Sequence, residues 1–178
     1  DRGIELDKLC YQINDLVEFT KTNCSSSNVP CIEAQLSYQL RPELLIFGDW
    51  FWLDGEADAY PTAGGSAVRE PLDVMMPATV RLGARWTAAQ PRLRIEALVE
   101  HAEEQDQLST RDELDTQRIP PGGTPGYTVL HLRSEWQLRP FLTLSFAVEN
   151  LTDEDYRIHG SGLNEPGRSL VLSVAAGM

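Results

Sequence analysis

Towards its C-terminus the chain alternates apolar and polar residues with a period of two across three segments. In 128–138 the even positions hold Leu130, Leu132, Trp136 and Leu138, against Val129, His131, Arg133, Glu135 and Gln137. In 142–150 they hold Leu142, Leu144, Phe146 and Val148, against Thr143, Ser145, Ala147 and Glu149. In 168–178 the stripe is Leu170, Leu172, Val174, Ala176 and Met178. Successive side chains on a strand point to opposite faces, so each segment reads as a strand with one oily and one polar face. The pattern recurs upstream. Segment 31–40 sets Ile32, Ala34, Leu36, Tyr38 and Leu40 against Glu33, Gln35, Ser37 and Gln39. Segment 44–53 is nearly all apolar, but Asp49 turns the odd positions inward and Leu44, Ile46, Trp50 and Trp52 outward. Segment 79–87 places Val80, Leu82, Ala84 and Trp86 opposite Arg81 and Arg85. Segment 92–100 places Leu93, Ile95, Ala97 and Val99 opposite Arg92, Arg94, Glu96 and Glu100. Segment 9–19 is the weakest, interrupted by Asn14 and Asp15.

The connections alternate strictly between short and long. Short turns fall at 41–43, 88–91 and 139–141, and long polar loops at 20–30, 54–77, 103–126 and 151–167. Tight turns at one rim and long loops at the other mark an up-and-down barrel in an outer membrane. The expected fold is therefore all-β: an antiparallel, up-and-down, outer-membrane-type β-barrel portion of about eight strands. Residues 1–27 are expected to be a frayed or truncated N-terminal strand and loop, and 28–178 the barrel strands.

Composition alters this little. Hydrophobic residues at 42% and charged residues at 24% suit an ordinary soluble domain equally well. A net charge of -12 excludes nucleic acid as a partner, because that demands a basic footprint. The acid gathers around loops, in Glu100, Glu103, Glu104, Asp106, Asp112, Glu113 and Asp115 and again in Asp153, Glu154 and Asp155. No apolar run of about eighteen residues suggests a helical span, and residues 1–8 lack the apolar stretch of a secretory signal.

The run Asn150-Leu151-Thr152-Asp153-Glu154-Asp155-Tyr156-Arg157, followed by Gly160 and by Glu165-Pro166-Gly167-Arg168-Ser169-Leu170, resembles the closing hairpin of TonB-dependent outer-membrane receptors. In that family an Asn-Leu-x-Asp-x-x-Tyr run ends the penultimate strand and Pro-Gly-Arg opens the last. Asn150, Leu151, Asp153, Tyr156, Pro166, Gly167 and Arg168 carry the match. The stretches Pro120–Tyr127 and Trp52–Glu56 also look like loop and strand-end sequences of the family. The family usually ends on an aromatic residue, whereas Met178 stands here. Full receptors add a signal peptide, a TonB-contact motif, a plug and a barrel of about twenty-two strands. At 178 residues the resemblance therefore implies the C-terminal part of a receptor barrel in the outer membrane of a Gram-negative-type cell. It implies import of a scarce nutrient, a ferric siderophore or cobalamin-like ligand, with outer-membrane lipid, a plug domain and TonB as partners. Lacking plug and TonB-contact segment, this stretch alone is expected not to carry out energised uptake.

The chemistry on offer is that of a wall rather than a catalyst. Arg81, Arg85, Arg92, Arg94 and Arg133 share the polar face with Glu96, Glu100, Glu135 and Glu149, as expected for a wet lumen. In a whole receptor they would contact the plug or guide an anionic iron chelate. Tyr38, Trp50, Trp52, Trp86, Tyr127, Trp136 and Phe141 lie near strand ends, as in interfacial girdles, although aromatics also fill soluble cores. Cys24 and Cys31 are spaced to close a loop disulfide, leaving Cys10 over. His101, His131 and His159 are isolated from one another, and no nucleophile elbow, phosphate loop, zinc or calcium motif is present. No enzyme activity, cofactor or resident metal is expected. The ligand-facing candidates, chosen from the loops, are Tyr60, Arg69, Arg111, Arg118, Tyr156 and His159. Two other readings stay open. About eight strands suffice for a small self-closed structural or adhesive barrel, pairing residues near Cys31 or Leu9 with those near Val171. In a soluble β-rich binding module the stripes would instead meet between two sheets.

Overall fold

The computed structural model describes residues 17–23, 30–60, 65–90 and 92–177. Their elements in chain order are β1 (Val17–Asn23), β2 (Pro30–Arg41), β3 (Leu44–Leu53), β4 (Glu56–Ala59), β5 (Val68–Pro71), β6 (Thr79–Ala88), β7 (Leu93–Ala102), α1 (Thr110–Leu114), β8 (Tyr127–Arg139), β9 (Leu142–Glu149) and β10 (Ser169–Ala176). The eight long strands form one antiparallel sheet in the order β1-β2-β3-β6-β7-β8-β9-β10, while β4 and β5 make a separate hairpin. Each long strand thus lies beside the long strand before it, the expected up-and-down order.

Register follows the period of two. Ile46, Ala84, Ala97, Leu132, Val148 and Leu170 lie side by side across six strands. On the opposite face Arg85, Glu96 and Arg133 stand in one row. A slip of one residue would turn the whole apolar set into the polar face, so this register is strongly specified. The apolar face is left bare: Leu82 is 55% exposed and Leu172 73%. Among the described residues no second layer packs against it, which removes the two-sheet sandwich. Large apolar side chains exposed on neighbouring strands, among them Leu82, Trp86, Leu132, Phe146 and Leu172, make the kind of contiguous patch that soluble monomers avoid.

Glycines let the sheet pack on itself at two adjacent points. A Cβ on Gly83 would collide with the Phe47 ring, which lies across it on the polar face. One on Gly48 would meet Leu82 and the Arg81 carbonyl, both at 2.6 Å. The guanidinium of Arg85 sits 5.2 Å from the centre of the Phe47 ring, a cation–π contact.

Two of the short turns share one device. Gln39-Leu40-Arg41-Pro42 and Gln137-Leu138-Arg139-Pro140 are the same four residues. At each, the register shifts by a bulge between the glutamine and the arginine. The glutamine amide then caps the turn, Gln39 donating to the Arg41 carbonyl at 2.5 Å and Gln137 to that of Pro140 at 3.4 Å. Proline sits where no ladder donor is needed.

Three expectations shift. Among the described residues the first strand covers Val17–Asn23, so residues 20–23 are strand and not loop, held by seven consecutive pairings to β2. The rest of 9–19, with Cys10 and Cys24, lies outside the described residues. The long loops are also not featureless, since 54–77 contains β4 and β5 and 103–126 contains α1. Finally, the described sheet is open: β1 and β10 stand at opposite ends, and β2 lies between β1 and β3, so β10 does not pair near Cys31. Closure through residues near Leu9 falls outside the described residues. Cys31 is fully buried and disulfide-bonded.

Candidate functional site

Up-and-down order puts the loops 54–78, 103–126 and 150–168 at one rim, and there they interlock. The short helix α1 is the hub. Ser109 caps it, its hydroxyl accepting from the Asp112 amide at 3.1 Å, while the Asp112 carboxylate accepts from the Ser109 amide at 3.3 Å. This reciprocal pair satisfies two donors that a helix start leaves free. Asp112 is 2% exposed and also accepts from the Val74 amide, through both oxygens at 3.1 Å. Further bonds to Asp73 and Glu70 fasten the first loop to the hub. Ser109 donates to Asp73 at 2.7 Å, and the Thr110 hydroxyl donates to Glu70 at 2.6 Å. Gln105 donates to the Met75 carbonyl at 2.7 Å and forms a backbone bridge with Thr124.

The third loop closes over this hub. His159, 4% exposed, places Nδ1 2.9 Å from the Thr124 hydroxyl. Its Nε2 is buried with no hydrogen-bond partner. Burial holds the imidazole below the usual histidine range, and nearby Asp112 pulls the other way. Asn150 anchors the loop's start in a left-handed conformation, φ 51°, which asparagine tolerates better than most residues. Its side chain accepts from the Glu154 amide at 2.9 Å and donates to the carbonyls of Glu154 and Pro166 at 2.8 and 3.2 Å. Asp153 accepts from the Arg168 amide at 2.8 Å. The Tyr156 ring packs on Tyr127 with centroids 4.4 Å apart, beside a small core of Ala102, Tyr127 and Val129. The motif read from sequence is thus a loop-folding device: Asn150 and Asp153 pin both ends and Tyr156 seats it.

Below the rim, the polar face carries a chain of ion pairs. Arg81 meets Asp49 at 2.9 Å, Arg85 meets Glu96 at 2.7 Å, and Arg133 reaches Glu96 at 4.0 Å and Glu149 at 2.9 Å. His131 also pairs with Glu149. Nearer the turn rim, Arg94 faces Glu135 at 3.9 Å. Small residues Ser145, Ala147 and Ser173 stand beside these charges and leave a shallow cleft of about 250 Å³. Cross-strand pairs of this kind contribute a few tenths to about 1 kcal/mol each, less where solvent reaches them.

The candidates chosen from the loops are scattered over this rim. Tyr60 is 70% exposed beyond β4. Each arginine is engaged by an acid: Arg69 by Glu56 at 3.0 Å, Arg111 by Asp73 at 3.1 Å and Arg118 by Asp115 at 2.5 Å. The Arg118 guanidinium holds the Asp115 carboxyl below its ordinary value. Tyr156 is half-buried and His159 is inside the knot. Sequence reasoning missed Asp112, Ser109 and Gln105, the buried polar residues that join the loops. The Ser-x-x-Asp spacing of a helix cap was the one readable signal.

No protein-family model matches the chain, and no curated protein matches it in sequence. Solved structures do. The copper transporter OprC is similar at 19% identity and a TM-score of 0.65, over 83% of this chain and 22% of that one. The siderophore receptor PiuA of Acinetobacter baumannii gives 15% and 0.57, over 90% of this chain and 25% of its own. The ferric enterobactin receptor PfeA of Pseudomonas aeruginosa, solved with enterobactin, gives 17% and 0.57, over 90% and 27%. All three are TonB-dependent receptors and none is an enzyme. The chain spans about a quarter of the length of these structures. With its meander, bare apolar face and interlocked loops at one rim, the described sheet has the fold of a partial TonB-dependent receptor barrel.

Proposed function

We propose that this chain supplies a stretch of barrel wall and three external loops to an outer-membrane receptor that imports a scarce nutrient, a ferric siderophore, cobalamin or a similar ligand. One observation carries this reading: a single sheet with a bare apolar face on one side and a chain of ion pairs on the other. Such a sheet separates lipid from a wet interior. Residues 28–178 carry the barrel strands, and within 1–27, read from sequence as a frayed or truncated strand and loop, β1 extends the same sheet. Lipid meets the outer face, a plug and TonB serve the whole receptor, and the ion-paired wall faces the plug.

Ligand capture belongs to the loop rim. Tyr60 offers an exposed ring. Arg69, Arg111 and Arg118 keep guanidinium donors beyond those spent on their acid partners, suiting an anionic chelate. Tyr156 and His159 act by shaping the loop beneath them.

The lipid-facing assignment is tested by heat-modifiable gel migration and circular dichroism of the chain refolded with and without detergent micelles. A detergent-dependent β-signal is expected, and a heat-sensitive fast band would add that the strands close by themselves into the small barrel. Soluble β-structure without detergent would sink the assignment. For ligand class, tryptophan quenching in micelles by a ferric siderophore and by cobalamin distinguishes the two, and quenching that survives Arg111→Ala with Arg118→Ala would remove those arginines from capture.

A further inference from the structure

We infer that the three interlocked loops form a strap that opens on mild acidification, with His159 as the proton acceptor and Val74 as the strained joint that lets go. Val74 has φ 51°. A β-branched residue is an outlier in that region and persists there only where its surroundings over-determine it. Those surroundings are the Asp112 carboxylate, gripping the Val74 amide through both oxygens at 3.1 Å, and Gly160, where a Cβ would lie 2.6 Å from the Val74 side chain. The glycine, itself at φ 76°, follows His159 directly. Strained joint, carboxylate grip and buried imidazole therefore meet where the three loops cross.

One imidazole nitrogen lies against the Thr124 hydroxyl and the other has no partner in either tautomer. A proton on the ring turns that nitrogen into a charged donor with no acceptor, which a buried site does not tolerate. The charged groups around it offer one way out. Asp112, from α1, is the anion whose charge acts on the ring. The first loop brings Asp73, held by Ser109 and Arg111, and Glu70, held by Thr110. The ring's own loop brings Arg157 and Asp155, both bonded to Asn164 at the surface. Asp112 can serve the imidazolium only by loosening its bonds to Val74 and Ser109; otherwise the ring leaves the pocket. By either route the grip on Val74 weakens, and its strain favours release.

Hydrogen–deuterium exchange on the full chain in detergent micelles, at about pH 7.5 and about pH 5.5 and corrected for intrinsic rates, reads this directly. Peptides containing Val74 and Ser109–Asp112 should exchange about tenfold faster at the lower pH, because the released imidazole takes up its proton only over the one pH unit below about 6.5. Peptides from β7 and β8 should not change. His159→Gln retains a bond to Thr124 but cannot titrate, and should abolish the difference. Val74→Asn, whose residue type accepts the left-handed conformation, should slow acid-induced exchange. Equal protection of the unaltered chain at both pH values would overturn the inference, as would a pH response that persists in His159→Gln. If His159→Gln does not fold, Val74→Asn decides, and acid-induced exchange as fast as in the unaltered chain sinks the strap. Any of these failures leaves the receptor reading standing, because that reading rests on the sheet.

Discussion

Leu132 and Arg133 are joined by one peptide bond and stand on opposite faces of the sheet. Leu132 belongs to the apolar row and Arg133 bridges Glu96 and Glu149. Leu132→Arg should therefore cost about 2–4 kcal/mol of stability in a bilayer if the position is near the midplane. Arg133→Ala should cost no more than about 1 kcal/mol, because the pair is half-exposed. Denaturant titration in lipid vesicles compares the two, and an equal cost would mean that the faces are not lipid and water. His159 carries a pH dependence whose sign is fixed. Its folded-state affinity for protons lies below that of the unfolded chain. As pH falls below about 6.5 the unfolded chain binds the proton first. Stability is thus constant above that value, falls below it, and levels once the folded form is protonated too. His159→Gln should flatten that slope in pH-stepped thermal melts.

Elements were legible in proportion to their period. The strands β2, β6, β7, β8, β9 and β10 follow from alternation, with boundaries within about two residues, because one face of each must leave water, and β3 follows from an apolar run in which Asp49 sets the face. The joining of the loops did not follow. Val74 and Asp112 lie far apart in sequence, and no periodicity links a backbone amide in one loop to a buried carboxylate in another. His159 read as a loop-surface residue for the same reason, since the hydroxyl beside it comes from Thr124 in a different loop. The motif residues Asn150, Asp153 and Tyr156 could be recognised from the resemblance, but their bonding to Glu154, Pro166 and Arg168 needed coordinates. At this scale α1 is the most sensitive element. Ser109→Ala removes its cap and the bond to Asp73, and should cost about 1–2 kcal/mol. Limited proteolysis should then cut 103–126 before any strand, and an unchanged cleavage order would show that α1 does not hold the loops.

On the scale of the whole molecule, the sheet of the described residues is open, with β1 and β10 at its ends. A free β10 edge beside a bare apolar face should make the described unit aggregate in buffer and disperse in detergent, which light scattering would show. Ion pairs from β3 to β9 run across the strands rather than along them. The Gln-Leu-Arg-Pro turns, with their matched bulges, close two hairpins far apart in the chain by the same means. Exchanging residues 42–43 with 140–141 should leave folding in detergent unchanged. If each turn sets register within its own hairpin, a hairpin behaves as a cassette. A gene could then gain or lose strands two at a time, each insertion leaving the neighbouring registers and the inside-outside sense of the wall intact.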